Sequence, residues 1–314
     1  MLTTELNISD KPVTTLQLLG YSITFSANDE KVLAIISKLY PLASTQSKPT
    51  NIKIFLQPTI ISPIKLAKQA KFSLNGHVLS GQNGASMLLA NRQTMTAKIQ
   101  LCSQMLRSPY LLRHQIINTV CYYLLSYRLV TPLHCCAFNL NHKTVVCLGN
   151  SGDGKSNIAM AAVEQGYALL CEDLAFISGK QNITLHSDCR EIHLLPDSAG
   201  RFDQLNTLSL GTSHNGKGKY IVNVPYSLRV AKSKELFIVF LEPNYLEQQS
   251  QLRQNDNNNI PLFQTLFDPV DSGFDLHCLP RHQHIHRLSQ QPSYIAKIGN
   301  NTTHFFDLLR TFVG

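Results

Sequence analysis

Apolar residues along this chain fall into runs of two periods. LQLLGYSITFS (Leu16–Ser26) and NIKIFLQ (Asn51–Gln57) have the clustered, β-branched character of strands. EKVLAIISKLYPLA (Glu30–Ala43) between them carries helical spacing that ends near Pro41. TQSKPTN and LNGH read as turns. A long amphipathic helix is predicted from Pro109 to Tyr127, closed off by Pro132, and HCCAFNL and KTVVCLG then form a strand hairpin with LNHK as its turn. KELFIVFLEP (Lys234–Pro243) is apolar without alternation, the signature of a strand buried on both faces. EQQSQLRQNDNNNIP (Glu247–Pro261) reads as a polar insertion that stays solvated and mobile, and THFFDLLRTFV as a C-terminal helix packing back on the body. The pattern predicts an α/β chain with a small α+β N-terminal accessory domain over residues 1–105 and a larger domain over 106–314. No internal repeat is apparent.

Composition narrows the class. With 43% hydrophobic and 15% charged residues, the 314-residue chain is globular rather than disordered. The net charge of +8 admits anionic partners, but Lys and Arg are not interleaved with aromatics in any dense run. A diffusely basic surface is the simpler reading, and nucleic acid is disfavoured. The eight cysteines, Cys102, Cys121, Cys135, Cys136, Cys147, Cys171, Cys189 and Cys278, lie mostly in apolar runs and form no CxxC pair. That usage suggests buried thiols in a reducing compartment. MLTTELNISDKPV lacks the features of a secretory signal. Tyr110–Val130, the best membrane candidate, carries Arg113, His114, Gln115, Asn118 and Arg128, so a buried helix is expected and no membrane association. The expectation is a cytoplasmic protein.

GNSGDGKS (Gly149–Ser156) carries the chemistry. It fits G-x-x-x-x-G-K-[ST], in which glycines let backbone amides converge on phosphate oxygens. Gly149, Asn150, Ser151, Gly152, Asp153, Gly154, Lys155 and Ser156 are the expected nucleotide-binding residues. Lys155 would reach the outer phosphates, and the Ser156 hydroxyl would ligate Mg2+. TVVCL before the loop reads as a buried strand, and KSNIAMAAVEQG after it as a helix terminated at Gly166, which aims helix-start amides at an anion.

ALLCED (Ala168–Asp173) ends the next strand with two adjacent carboxylates. Most phosphate-loop ATPases keep the metal-binding aspartate further along. Here a single helix and strand return Glu172 and Asp173 to the phosphates, and neighbours on an extended strand point to opposite sides, so the pair can divide metal and acceptor duties. His134 lies one hairpin upstream of the loop.

LHCCAFNLNHKTVVCLGNSGDGKSNIAMAAVEQGYALLCED (Leu133–Asp173) resembles the core of the HPr kinase/phosphorylase family, whose catalytic domain belongs with phosphoenolpyruvate carboxykinase-like P-loop folds. The order of features follows the family more loosely over 106–314. The resemblance implies ATP and Mg2+ as cofactors, with His134 near the reacting phosphate and Lys155 and Ser156 as nucleotide and magnesium ligands. It puts Glu172 in the place of the catalytic aspartate that removes the acceptor proton, and Asp173 in that of the metal-side aspartate. The catalytic set so implied is Glu172, His134 and Lys155, and the metal set Ser156 and Asp173. The chain departs from the family in having Glu rather than Asp at 172, and Cys135 and Cys136 where small residues are common. No phosphorylase signature is found downstream, which argues against phosphate removal and against HPr as acceptor.

Other candidates are weaker. SHNGKGKYIVNVP (Ser213–Pro225) is a mobile segment whose Lys217 or Lys219 could reach a phosphate. Arg190 and Arg201 are candidate charge clamps. His282, His284 and His286 share a face if HCLPRHQHIH is extended, a minor transition-metal candidate. The expected activity is ATP-dependent phosphorylation of a hydroxyl on a protein, peptide or small molecule. A nucleotide hydrolase and a non-catalytic nucleotide-binding partner module stay open as alternatives, as does homo-oligomer assembly.

Overall fold

A computed structural model of the chain describes residues 11–59, 65–203, 205, 208–213, 216–244, 246–255 and 281–313. Among these, residues 11–127 with Gly216 form one compact unit, and the others, from Arg128 onwards, form a second.

The first unit is built on a sheet in the order β1-β2-β3-β7-β6-β5-β4. Its strands are β1 (Val13–Leu18), β2 (Tyr21–Ala27), β3 (Lys53–Pro58), β4 (Lys71–Asn75), β5 (Val78–Asn83), β6 (Ser86–Asn91) and β7 (Thr96–Leu101). The run Leu16–Ser26, read above as one strand, is a hairpin. Leu19 and Gly20 both take positive φ, 52° and 79°, the geometry of a two-residue turn whose twist matches its strands. A leucine in that conformation leaves no glycine-pair signal in the sequence. Helix α1 (Glu30–Leu39) is capped by Asp29, whose carboxylate accepts the Lys31 amide at 2.9 Å. The predicted long helix is present as short turns, a π-helical segment (Leu112–Ile117) and α2 (Asn118–Arg128). Its buried polar residues belong to this unit. Gln115 accepts from Asn83 at 2.6 Å and donates to the Lys68 carbonyl at 2.7 Å, and Asn118 accepts the Tyr40 hydroxyl at 2.5 Å. The segment 106–127, assigned from sequence to the second domain, therefore groups with the first unit. No helix among the described residues is long and apolar enough to cross a membrane.

The second unit holds a mixed sheet of nine strands among the described residues, in the order β16-β12-β11-β8-β9-β17-β19-β18, with β10 also pairing β8. Its elements are β8 (Val130–Leu140), β9 (Lys143–Leu148), α3 (Lys155–Glu164), β10 (Leu169–Cys171), β11 (Leu174–Ser178), β12 (Thr184–His186), β13 (Glu191–Leu194), β14 (Gly211–Thr212), β15 (Gly218–Asn223), β16 (Lys232–Ser233), β17 (Leu236–Pro243), β18 (Gln251–Gln254), α4 (Arg281–Ser289), β19 (Ser293–Ile298) and α5 (Thr302–Val313). A smaller sheet runs β13-β15-β14. The architecture is mixed α/β with several sheets.

Buried side chains separate by strand period into two cores. Cys136, Phe138 and Leu140 of β8, Val145 and Cys147 of β9, and Phe237, Val239 and Leu241 of β17 face a cluster with α3, α5 and Ile192 and Leu194 of β13. Cys135, Ala137, Val146, Leu148, Ile238 and Phe240 face the other side, against Ile285 and Leu288 of α4. Burial on both faces explains the unbroken apolar run of β17, which pairs parallel to β9 and β19. Pro132, expected to close the preceding helix, lies inside β8, where β11 pairs but the register with β9 has not begun. Within the polar stretch 247–261, read as a mobile insertion, Gln251–Gln254 forms strand β18 against β19, and 256–261 lies outside the described residues.

Candidate active site

Two connections of the second unit place the candidate residues: the turn from β9 into α3, and the break between β10 and β11. In the first, Gly152 and Gly154 take φ of 98° and 88°, which glycine adopts without steric penalty. Gly154 caps α3, and no side chain caps that helix start. Gly149 is needed for close approach, because a Cβ there would stand 2.8 Å from Asp153 Oδ2 and 3.3 Å from Leu241 Cβ. Asn150, Ser151 and Gly152 are exposed. A helix start without a side-chain cap behind a glycine turn fits a phosphate-bearing ligand.

Two side chains of the loop bridge its interior. Lys155, 6% exposed, donates its ammonium to the carbonyls of Gly149 and Asn150, both at 2.8 Å. Asp153 Oδ2 accepts the Asn150 amide at 2.5 Å. The carboxylate thus occupies one amide of the cradle and sets a negative charge where phosphates would approach. Asp153→Asn is expected to tighten nucleotide binding by roughly three- to tenfold, the worth of about 1 kcal/mol of like-charge repulsion in a solvated site. Calorimetric titration of ATP into both proteins checks this.

The carboxylates sit where β8 changes partner. Its upper half pairs with β10 and its lower half with β11, and the Cys135 amide donates to the Asp173 carbonyl at 3.1 Å across the break. Irregular pairing of this kind re-aims side chains. Glu172 turns inward, 5% exposed, and accepts the Ser156 hydroxyl on Oε1 at 2.5 Å. Asp173 turns outward, its side chain 47% exposed, with Oδ1 2.9 Å from His134 Nε2. The two neighbours point to opposite sides, as adjacent residues of an extended chain do, and their partners differ from the sets implied by the resemblance: Ser156 meets Glu172 rather than Asp173, and His134 meets Asp173 rather than Glu172. Burial alone would raise the Asp173 pKa, but the His134 hydrogen bond and the positive charges of His134, Lys219 and Lys155 outweigh it and hold it below the ordinary carboxylate value.

Sequence reading missed a second layer around Glu172. His193 of β13 is buried, with Nδ1 3.6 Å from Glu172 Oε2 and Nε2 3.6 Å from Glu191 Oε2. The available signal was the i, i+2 spacing of Glu191 and His193 around the core residue Ile192, which puts both on one face of a strand. Burial opposes charge on His193, but the two carboxylates override it and push its pKa up to about 9. Cys189 is pushed to about 12 by burial and the Glu172 charge. A histidine raised above its unfolded value contributes stability that is complete below about pH 6.5 and lost as pH rises through about 9. The expected result is a melting temperature that falls between pH 7 and 10, less steeply in His193→Gln. Thermal melts at stepped pH check it.

The remaining candidates separate. Lys219, on β15, lies near enough to Asp173 to lower its pKa. Arg190 is turned to its own loop, Nε 3.2 Å from Asp188 Oδ1. Arg201 ends a short 3-10 turn. The extended histidine face is not formed, because His282, His284 and His286 lie on helix α4, where residues two apart diverge. His284 is buried between the Thr131 hydroxyl at 2.8 Å and the Gly179 carbonyl at 3.1 Å. His277 and Cys278 lie outside the described residues. Among the described residues no group of three or more His, Cys, Asp or Glu side chains forms a metal cage. Ser156 and Glu172 bring a hydroxyl and a carboxylate together, oxygen donors that could hold a hard cation such as Mg2+.

No family model matches this chain, and no curated protein matches it. Among solved structures, the HPr(Ser) kinase/phosphatase from Coxiella burnetii is similar at a TM-score of 0.31 and 14% identity, over 58% of this chain and 99% of that one.

Proposed function

We propose that the chain is an ATP-dependent phosphotransferase acting on a hydroxyl of a protein, peptide or small molecule. The carrying observation is the opposed aim of two neighbouring carboxylates, Glu172 on the phosphate-loop serine and Asp173 on His134. In this reading the 149–156 loop holds the phosphates. Lys155 exchanges its two loop carbonyls for phosphate oxygens and neutralises charge that develops there. Mg2+, when bound, supplies further charge neutralisation, and Ser156 and Glu172 are the side chains that would hold it. The Asp173–His134 pair takes the acceptor proton as the acceptor oxygen bonds to the γ-phosphorus and the bridging P–O bond to the nucleoside diphosphate breaks. Lys219 adds positive charge on the acceptor side.

This assignment gives Glu172 and Asp173 the roles opposite to those implied by the family resemblance, because the serine that would ligate magnesium already donates to Glu172. Within the expected second domain, 106–314, the proposal puts catalysis in the part from Arg128 onwards, which forms the second compact unit. Purified protein with γ-labelled ATP and Mg2+ is expected to move label onto an acceptor present in cell lysate. Release of free phosphate with no labelled acceptor would make the protein a hydrolase, and nucleotide retention without turnover would make it a binding module.

A further inference from the structure

The Glu172 carboxylate has a polar neighbour at each oxygen, and one of the two belongs to the 149–156 loop. Oε1 takes the Ser156 hydroxyl from α3, and Oε2 faces Nδ1 of His193. The other ring nitrogen of His193 faces Glu191, so hydroxyl, carboxylate, imidazole and second carboxylate form a continuous line from the phosphate loop to the β13-β15-β14 sheet. Three of its members are well sheltered, with side-chain exposures of 6% for Glu172, 9% for His193 and 18% for Glu191. Ile192 and Leu194, flanking His193, are fully buried in the core that also takes Ile158, Ala159 and Ala162 of α3, which limits the freedom of the strand that presents the ring.

The His193 ring stands between the two carboxylates, 3.6 Å from an oxygen of each. We propose that His193 is a positioning residue that, braced by Glu191, holds the Glu172 carboxylate on the Ser156 hydroxyl and so fixes the metal side of the site. His193 touches neither nucleotide nor acceptor in this arrangement. The inference rests on the proposed function for the purpose of Glu172, and on geometry alone for the coupling of His193 to it.

The test is a double-substitution cycle in the full chain, reading magnesium-dependent ATP affinity by calorimetry and kcat by label transfer. His193→Gln, whose amide nitrogen stands near the Nε2 position, loses the contact with Glu172. His193→Asn, whose amide nitrogen stands near Nδ1, can keep it. The expected result is a roughly tenfold loss of Mg–ATP affinity in His193→Gln, a smaller loss in His193→Asn, and no further loss when His193→Gln is added to Glu172→Gln. ATP affinity measured in EDTA stays unchanged in both His193 variants. Equal losses with and without Glu172, or His193→Asn as impaired as His193→Gln, overturn the positioning role. If the parent protein transfers no phosphate while the affinity coupling persists, the kinase reading falls and the positioning of Glu172 by His193 stands.

Discussion

Lys155→Met is expected to reduce phosphate transfer about 100- to 1,000-fold, the usual cost of removing one preorganised charge-stabilising group. Nucleotide affinity should fall with it. Lys155 is 6% exposed and its ammonium is held at 2.8 Å by two loop carbonyls, so it is already placed at the loop and would need only to exchange partners when phosphate arrives. Methionine keeps the aliphatic stem but leaves the Gly149 and Asn150 carbonyls without that donor, which costs about 1–3 kcal/mol if no water replaces it. A stability loss is therefore expected beside the functional one, and a thermal melt separates them: a variant that is folded at assay temperature and still inactive isolates the role of the charge. Lys155→Arg is not expected to restore activity, because a planar guanidinium does not reproduce a compact ammonium in a closed loop. Full transfer by the methionine variant would remove the loop from the mechanism.

Asp173→Asn is expected to lower kcat by about 100- to 10,000-fold, the range of a lost general base, with the magnesium requirement unchanged. Glu172→Gln should do the converse at low metal, raising the magnesium concentration needed for half-maximal rate. The crossed pairing makes these two outcomes distinct, since Glu172 accepts from Ser156 and Asp173 lies against His134. If instead Glu172→Gln abolishes kcat at saturating magnesium while Asp173→Asn raises the metal requirement, the roles implied by the family resemblance are the right ones. The lowered pKa of Asp173 also has a sign. Its contribution to folding stability is present above the unfolded value near 3.8 and disappears as pH falls through the lower folded value, so the carboxylate is ionised throughout the neutral range.

The local geometry of the glycine loop and of the carboxylate pair is legible in the sequence. Gly149–Ser156 between an apolar strand and an amphipathic helix has few ways to fold, because Gly152 and Gly154 are needed where φ is positive and the helix must start with uncapped amides. The adjacency of Glu172 and Asp173 likewise required that they diverge. What could not be read was which partner each would meet. That depends on the change of register along β8, a property of strand pairing rather than of local sequence. The role of His193 was not legible for a related reason: its i, i+2 spacing from Glu191 is visible in the chain, but it comes from a separate small sheet, and no spacing along the chain encodes its distance from Glu172. The histidines of α4 show the opposite failure. A local pattern suggested a metal face, and helix formation with burial of His284 dispersed it.

The sequence by itself determined the elements whose causes are local: the glycine turn, the helix behind it, the doubly buried strand β17 and the paired carboxylates. Tertiary structure alone decided the Leu19–Gly20 hairpin, the grouping of residues 118–127 with the first unit, and the crossed Glu172–Ser156 and Asp173–His134 pairs. The physical reason is that periodicity and backbone conformation act over a few residues, whereas side-chain partnership is set by which strands pair and in what register.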